Sequence, residues 1–416
     1  MAGPFDLVVA NARLRGGGPG DSLTHIGIRD GRIVALGPAP LAGHIVVDAV
    51  GNLVSPSFVN AHLHLDKVYT SGLAGEEARR RYAGGRMEGA AAAVDLAARV
   101  KDQYDESWIY ANARRALTEG LRHGVTHLLA FADTDTRARL EGIKALLRLR
   151  EEWRGRVEVR VVAFPQDGVV RDAGAEAYVR EALELGADLV GGIPWIEETA
   201  GAAAEHVDRM LALARAYDRD VAMLTDDAGD PALRTTEMLA AAAIREGWAG
   251  RVIACHARAM ALYPEPAVRD LVALARRAEM AFVTAPHTGP LHLRAADLLA
   301  AGLPVALGQD DIADAYYPYG QHNLLEVAFL ASHLLGWTTA AEMDTLLDMI
   351  TTQGARVLRL TGYGLDVGKE AHLCVLQGET PQEVLTRHEP PSVVISHGRL
   401  AAETHAQTEI LETPRR

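Results

Sequence analysis

The chain has 416 residues, 49% hydrophobic and 23% charged, with a formal net charge of -13. That length calls for one large domain with an accessory module, or for two domains. The acidity, with no long basic run, argues against nucleic acid or an anionic membrane as the main partner. Two cysteines, Cys255 and Cys374, make a disulfide framework unlikely and suit a reducing cytoplasm. No basic-then-apolar leader opens the sequence and no apolar run reaches membrane-spanning length, so a cytoplasmic enzyme is expected, and as a soluble enzyme a homo-oligomer.

From Phe5 to Val54 the pattern is short and β-like, with candidate strands at Leu7–Ala10, Thr24–Ile28, Ile33–Leu36 and Ile45–Asp48. Gly16–Gly20 reads as a loop: no strand–loop–helix surrounds it and no Lys-Ser/Thr follows, so it is not a phosphate cradle. From Val54 the rhythm changes. Strand-like runs at Phe58–His64, Thr126–Asp133, Val157–Phe164, Ala187–Ile193, Asp220–Asp227, Arg251–Ala257, Met280–His287 and Pro304–Asp311 alternate with segments of helical spacing such as Thr136–Trp153, Ala203–Tyr217 and Glu265–Ala278. Ala90–Ala93 belongs to an alanine-rich helix. Such alternation predicts a parallel sheet with crossover helices, and eight units are the count of a closed (β/α)8 TIM-like barrel. After Gly362 the β-like rhythm returns at His372–Leu376 and Ser392–Leu400, and Thr413–Arg416 read as a frayed end. Neither β-rich end has an adequate core alone. The two are expected to form one small β-sandwich, residues 1–54 and 362–416, flanking a catalytic barrel at 55–361.

Active sites of such barrels lie at the C-terminal ends of the strands, and there this sequence concentrates its unusual residues. The first strand ends in His62-Leu63-His64. Side chains two apart in a strand share a face, so the two imidazoles can hold one metal ion. Alone this spacing is a weak signal. Asp310, at the end of the eighth strand, is the natural third ligand, and it can also take a proton from a water made acidic by the metal. Asp311 suits a helix N-cap. His256 is a further ligand or the group that polarises a carbonyl. Gln166 offers a donor and an acceptor, suited to an amide-like ring edge. His287 is ambiguous and His292 structural. The loop Gly72–Gly89, with Arg79, Arg80, Arg81 and Arg86, could cap a site for an anionic substrate, although a solvated surface is the commoner explanation.

With these residues in view the chain resembles the amidohydrolase superfamily, in its cytosine-deaminase-like branch. The matching stretches are His62–Lys67, Val162–Gln166, Val190–Pro194, His256 with Ala259-Met260, Pro290–Leu293, and Gly308–Ile312 with Asp314 and Tyr317-Pro318. The resemblance covers nearly the whole chain. It implies a barrel with a β-sandwich from both termini and one divalent metal, zinc first, with iron or manganese behind it. It implies hydrolysis of C–N bonds in pyrimidine-like or triazine-like rings. By the same resemblance His62, His64 and Asp310 are metal ligands, Gln166 binds the ring amide, His256 holds the attacking water or substrate oxygen, and Tyr316 lines the pocket.

The chain departs from that pattern on the second and fifth strands. Phe131 precedes Ala132-Asp133 where the family has a histidine. On the fifth strand, aligning Asp226-Asp227 with the family's aspartates puts Val221 at a metal-binding histidine and Leu224 at the catalytic glutamate. Asp226, Asp227 and His287 are the nearest substitutes, and Asp226 joins Gln166, His287 and Tyr316 among the expected substrate contacts. The first reading is a metal-dependent hydrolase of a small nitrogen-rich ring, with Asp310 as base and His256 beside it. The alternative is a non-hydrolytic enzyme, an isomerase, cyclase or lyase, on the same barrel. A third, a metal-poor paralog that only binds, sits poorly with retention of His62, His64 and Asp310.

Overall fold

A computed structural model describes residues 4–16, 22–73, 80 and 94–407. The glycine-rich stretch 17–20, the arginines Arg79, Arg81 and Arg86, the alanines 90–93 and the residues 413–416 lie outside the described residues. In chain order the strands are β1 (Phe5–Ala12), β2 (Thr24–Arg29), β3 (Arg32–Gly37), β4 (Gly43–Asp48), β5 (Val54–Pro56), β6 (Phe58–His64), β7 (Val125–Asp133), β8 (Glu158–Phe164), β9 (Leu189–Gly192), β10 (Asp220–Thr225), β11 (Val252–His256), β12 (Ala281–Thr284), β13 (Val305–Leu307), β14 (Leu373–Val375), β15 (Val393–Ser396) and β16 (Arg399–Glu403).

Strands β6 to β13 pair side by side in sequence order, all parallel. Helices such as Glu106–Arg122, Glu141–Trp153, Ala200–Ala216 and Glu265–Arg277 run between them. This is the TIM-like barrel. Alternation along each strand sorts its side chains into two cores. Leu63, Leu128, Val161, Val190, Met223 and Phe282 pack outward against the helices. Val59, Leu129, Phe131, Phe164, Leu224 and Val283 fill the barrel. Each such buried side chain contributes about 1.5–3 kcal/mol relative to exposure.

Two four-stranded sheets flank the barrel, β3-β2-β1-β4 and β16-β15-β14-β5. Their shared core joins Leu7, Val9, Ile26 and Ile28 from one end of the chain to Leu373, Val375 and Ile395 from the other. Both termini therefore build the sandwich, and β5 is the changeover, pairing antiparallel with β14. Among the described residues, no helix is long and apolar enough to cross a membrane.

Gly124, in the turn before β7, has φ +88°, and a Cβ there would stand 2.7 Å from Cys374 Sγ and 3.0 Å from Phe58. The barrel floor and the C-terminal sheet thus meet where only glycine fits. Gly124→Ala is expected to lower the unfolding free energy by at least about 2 kcal/mol, read as a lower urea midpoint. An unchanged midpoint would show that this contact yields freely.

His322 is fully buried, with Nδ1 2.9 Å from Ala116 O and Nε2 2.9 Å from the Asn60 side-chain amide. The amide can only donate through its nitrogen, so Nε2 accepts and Nδ1–H donates. Burial pushes this imidazole down to about 4. Folding thus favours its neutral form. The associated stability is fully present above the unfolded value, near 6.5, and is lost as pH falls from there toward 4. Between pH 7 and pH 5 the unfolding free energy is expected to drop by about 2 kcal/mol on account of this residue, a drop that His322→Asn should abolish in a pH series of urea melts.

Candidate active site

Two imidazoles reach one point because β6 is not a regular strand. Its register against β7 shifts between Asn60 and Leu63. Val59 and Ala61 point into the barrel and Leu63 points out. An irregularity of this kind changes which parity faces inward, so His62 and His64 both turn in, with ring centroids 5.1 Å apart. Asp310 follows β13 in the left-handed region, φ 62°, where aspartate is better tolerated than most residues. The backbone of β6 holds it there: Asp310 N–H donates to His62 O at 2.9 Å, and His64 N–H donates to Asp310 O at 2.8 Å. Gly308 makes this approach possible, since a Cβ there would lie 2.7 Å from His62 Cβ. Asn60 Oδ1 ties the same seam, accepting from His62 N–H at 3.3 Å and Gln309 N–H at 3.1 Å.

Asp310 Oδ1 lies 2.9 Å from His62 Nε2 and 3.6 Å from His64 Nε2. The donor atoms of the three residues fall within 4.8 Å of one another. Neither ring nitrogen of His62, nor Nδ1 of His64, has a hydrogen-bond partner. Burial pushes His62 down to about 3 and His64 well below its ordinary value, and it pushes Asp310 up to about 6. Neutral imidazoles with unspent nitrogens, converging on a carboxylate, are the donor set that zinc or a similar divalent ion takes. These residues fit such an ion.

Two more imidazoles attend the other carboxylate oxygen. His256 Nε2 and His287 Nε2 stand 3.9 and 3.8 Å from Asp310 Oδ2. His256, in the left-handed region at φ 70°, lines the cavity but falls outside the tight group of His62, His64 and Asp310. His287 Nε2 also lies 3.1 Å from Asp311 Oδ2. It touches these carboxylates and is not among the residues lining the cavity. The N-cap reading of Asp311 is corrected. The next helix, Leu324–Leu335, is capped by Asn323, while Asp311 lines the cavity beside Asp310. Burial and the neighbouring carboxylates push Asp311 and Asp314 well above the usual carboxylate range.

The fifth barrel strand departs from the sequence alignment. Ala222 and Leu224 face the interior, Val221 and Met223 the helices. Val221 therefore cannot stand at a ligand position, whereas Leu224 does line the cavity. After β10 the chain turns left-handed at Asp226, φ 47°, and this side chain folds back. Its Oδ1 accepts from Thr235 N–H at 2.6 Å and Thr235 Oγ1 at 2.7 Å, and its Oδ2 from Thr236 N–H at 3.1 Å and Tyr263 Oη at 3.0 Å. Asp226 thus anchors the start of the helix Thr235–Arg245 and is not a substrate contact. Asp227 takes the cavity position instead, held by Arg258 Nε at 2.6 Å. Burial pushes its carboxyl up to about 6.

Gln166 and Tyr316 line the cavity with Ile193 and Trp195. Gln166 Nε2 donates to Tyr316 Oη at 2.9 Å. Behind them lies a buried ionic chain. Lys67 Nζ donates to both oxygens of Asp133 at 2.9 Å and to Gln166 Oε1. Lys101 pairs with Asp133 at 3.4 Å, with Asp167 at 2.8 Å and with Asp135. No role for Lys67 or Asp133 is legible in the sequence, because the partners come from different strands. The cavity itself measures about 30 Å³, room for a water molecule rather than a ring.

Asp226→Ala is expected to lower stability by about 1–2 kcal/mol through loss of the helix anchor, seen as a lower Tm, with metal stoichiometry unchanged. Loss of metal from a folded Asp226→Ala protein would return this residue to the site.

The amidohydrolase family model matches residues 45–402. The chain is 31% identical over 408 residues, 96% of its length, to N-isopropylammelide isopropyl amidohydrolase of Pseudomonas sp. (strain ADP), 98% of which is covered. It is 27% identical over 387 residues to pterin deaminase of Rhizobium rhizogenes, covering 87% of this chain and 83% of that one. In structure it resembles 5-methylcytosine deaminase from Klebsiella pneumoniae liganded with 5-fluorocytosine, with a TM-score of 0.89, 28% identity, and 97% and 99% of the two chains covered. A family match over most of the length, agreeing with a full-length relative and a full-length structural match, leaves one conclusion: the chain belongs to the amidohydrolase family.

Proposed function

We propose that the protein is a metal-dependent hydrolase that cleaves a C–N bond of a small cyclic, nitrogen-rich substrate of pyrimidine or triazine type. One observation carries this reading: His62, His64 and Asp310 converge with unspent ring nitrogens at the barrel seam. The relatives support it. Their names describe amidohydrolase or deaminase activity on N-isopropylammelide, a pterin and 5-methylcytosine, and these hydrolytic activities disfavour the isomerase, cyclase or lyase alternative.

His62, His64 and Asp310 would hold one divalent ion, zinc by the character of the donors, with His256 near enough to join them. Such an ion supplies an acidic water and polarises the ring carbon. The chain's own residues do the rest. Asp310 would accept a proton at Oδ2, the oxygen that stands between His256 and His287. The pair His287–Asp311 stands where a proton can pass to a leaving nitrogen. It is the reading we favour for the work of the glutamate replaced by Leu224. Gln166 and Tyr316 orient the ring, and Leu224 and Trp195 give it apolar walls. The ring enters by displacing side chains over the small cavity. Net charge -13 and two buried free cysteines support a cytoplasmic setting, and we favour a homo-oligomer.

The test pairs metal analysis with turnover. Wild-type protein is expected to bind about one zinc per chain, in keeping with a single mononuclear site, and to release ammonia or an amine from an aminopyrimidine or aminotriazine panel. Asp310→Asn is expected to weaken metal binding and to lower kcat/KM by at least about a hundredfold, the usual scale for a lost general base. Turnover at the wild-type level in that variant would remove Asp310 from the chemistry.

A further inference from the structure

A glutamine beside a ring could accept, donate, or do both, and sequence alone leaves the choice open. The buried ionic chain fixes which end of the amide faces the cavity. Lys67 follows the turn after β6 and is only 5% exposed. Its ammonium has three N–H donors and no acceptor. Two go to Asp133 Oδ1 and Oδ2, each at 2.9 Å, and the third to Gln166. A group that can only donate must face the amide oxygen, so Oε1 of Gln166 is turned to Lys67. Nε2 is left for the cavity side. One of its hydrogens goes to Tyr316 Oη at 2.9 Å. The other has no protein partner among the described residues.

Reversing the amide would press an NH2 group against a buried ammonium. Lys67 in turn cannot swing away, because that would strip Asp133 of its bidentate partner in a site closed to water. Lys101 holds Asp133 from its other side at 3.4 Å and is itself fixed by Asp135 and Asp167. The amide orientation is therefore set by groups three strands wide.

We infer that Lys67 is a positioning residue that turns the amide nitrogen of Gln166 to the cavity, so the substrate edge facing Nε2 must carry a hydrogen-bond acceptor, a ring carbonyl or an unprotonated ring nitrogen. The substrate class narrows accordingly. It is a ring that presents a leaving amine at Asp310 and an acceptor at the opposite edge. Rings with N–H donors alone along that edge are rejected, because an N–H would meet an N–H in a dry site. This rests on the hydrolase reading for the word substrate, but not for the orientation of the amide.

The test separates the two. The orientation is read without ligand, by neutron diffraction from crystals of the perdeuterated protein, where amide oxygen and nitrogen are distinguishable. Oxygen toward Lys67 is expected, and nitrogen toward Lys67 overturns the inference. Binding is then compared by calorimetry on the zinc-loaded protein for imidazolidin-2-one, whose carbonyl accepts, and 2-iminoimidazolidine, whose cation has only N–H donors. Wild type is expected to favour the urea by at least about tenfold, the scale of one matched hydrogen bond. The double variant Lys67→Met/Asp133→Asn removes one positive and one negative charge together, leaving no unpaired buried ion. There the amide is free to turn, and the ratio of the two affinities is expected to fall toward one. Gln166→Met should lose the same preference with Lys67 in place. A merely structural role for Lys67 would weaken both ligands equally, and an unchanged ratio in the double variant overturns the inference. Neither ligand binding a protein whose Gln166 oxygen faces Lys67 would uphold the orientation and count against the hydrolase substrate class.

Discussion

Two backbone hydrogen bonds, between Asp310 and the residues His62 and His64, close the cylinder and assemble the site in one stroke. Strands β6 and β13 are otherwise barely paired: a single bridge joins Leu63 to Asp310. Seam and candidate ligands are the same residues, so site geometry inherits the rigidity of the sheet rather than of a loop. Gly308 and Asn60 serve that seam. The glycine lets the strands approach, and the asparagine binds amides of both. A substitution at either position would act on the chemistry without touching a substrate.

The fold was readable because its signal repeats. Eight apolar runs separated by helical spacing leave little choice of architecture, and each expected strand overlaps an observed one. In the candidate site, spacing and position single out His62, His64 and Asp310, which the structure brings together, although the register shift in β6 that turns both imidazoles inward left no mark in the sequence. Val221 was misplaced because counting back from Asp226-Asp227 ignores the left-handed turn at Asp226, which changes the parity of everything before it. The same turn sends Asp226 to a helix start and Asp227 to the cavity. Asp311 was taken for a cap because Asp-Asp before a helix is a local pattern, whereas its partner His287 lies 24 positions away.

On the fifth strand the residue that lines the cavity, Leu224, is apolar. It adds to the apolar wall with Trp195 and Ile193, and the acids gather at one side, as Asp227, Asp310 and Asp311. Burial raises all three. The opposite side is held by Lys67 and Lys101, whose charges are spent on Asp133, Asp135 and Asp167. The cavity is thus acidic toward the seam and amide-lined toward the second and third strands. A ring entering it meets two chemically distinct ends.

The sandwich core imposes an order on synthesis. Leu7, Val9, Ile26 and Ile28 find their apolar partners in Leu373, Val375 and Ile395, roughly 350 residues or more further along the chain. At ribosomal rates of about 5–20 residues per second that is tens of seconds of waiting. During this time β1 to β4 form a sheet with one apolar face uncovered and two open edges, a species prone to pairing with its like on a crowded polysome. The barrel can close before β14 and β15 emerge. The N-terminal sheet cannot be buried until they do, so the earliest-made part of the molecule is the last to be finished.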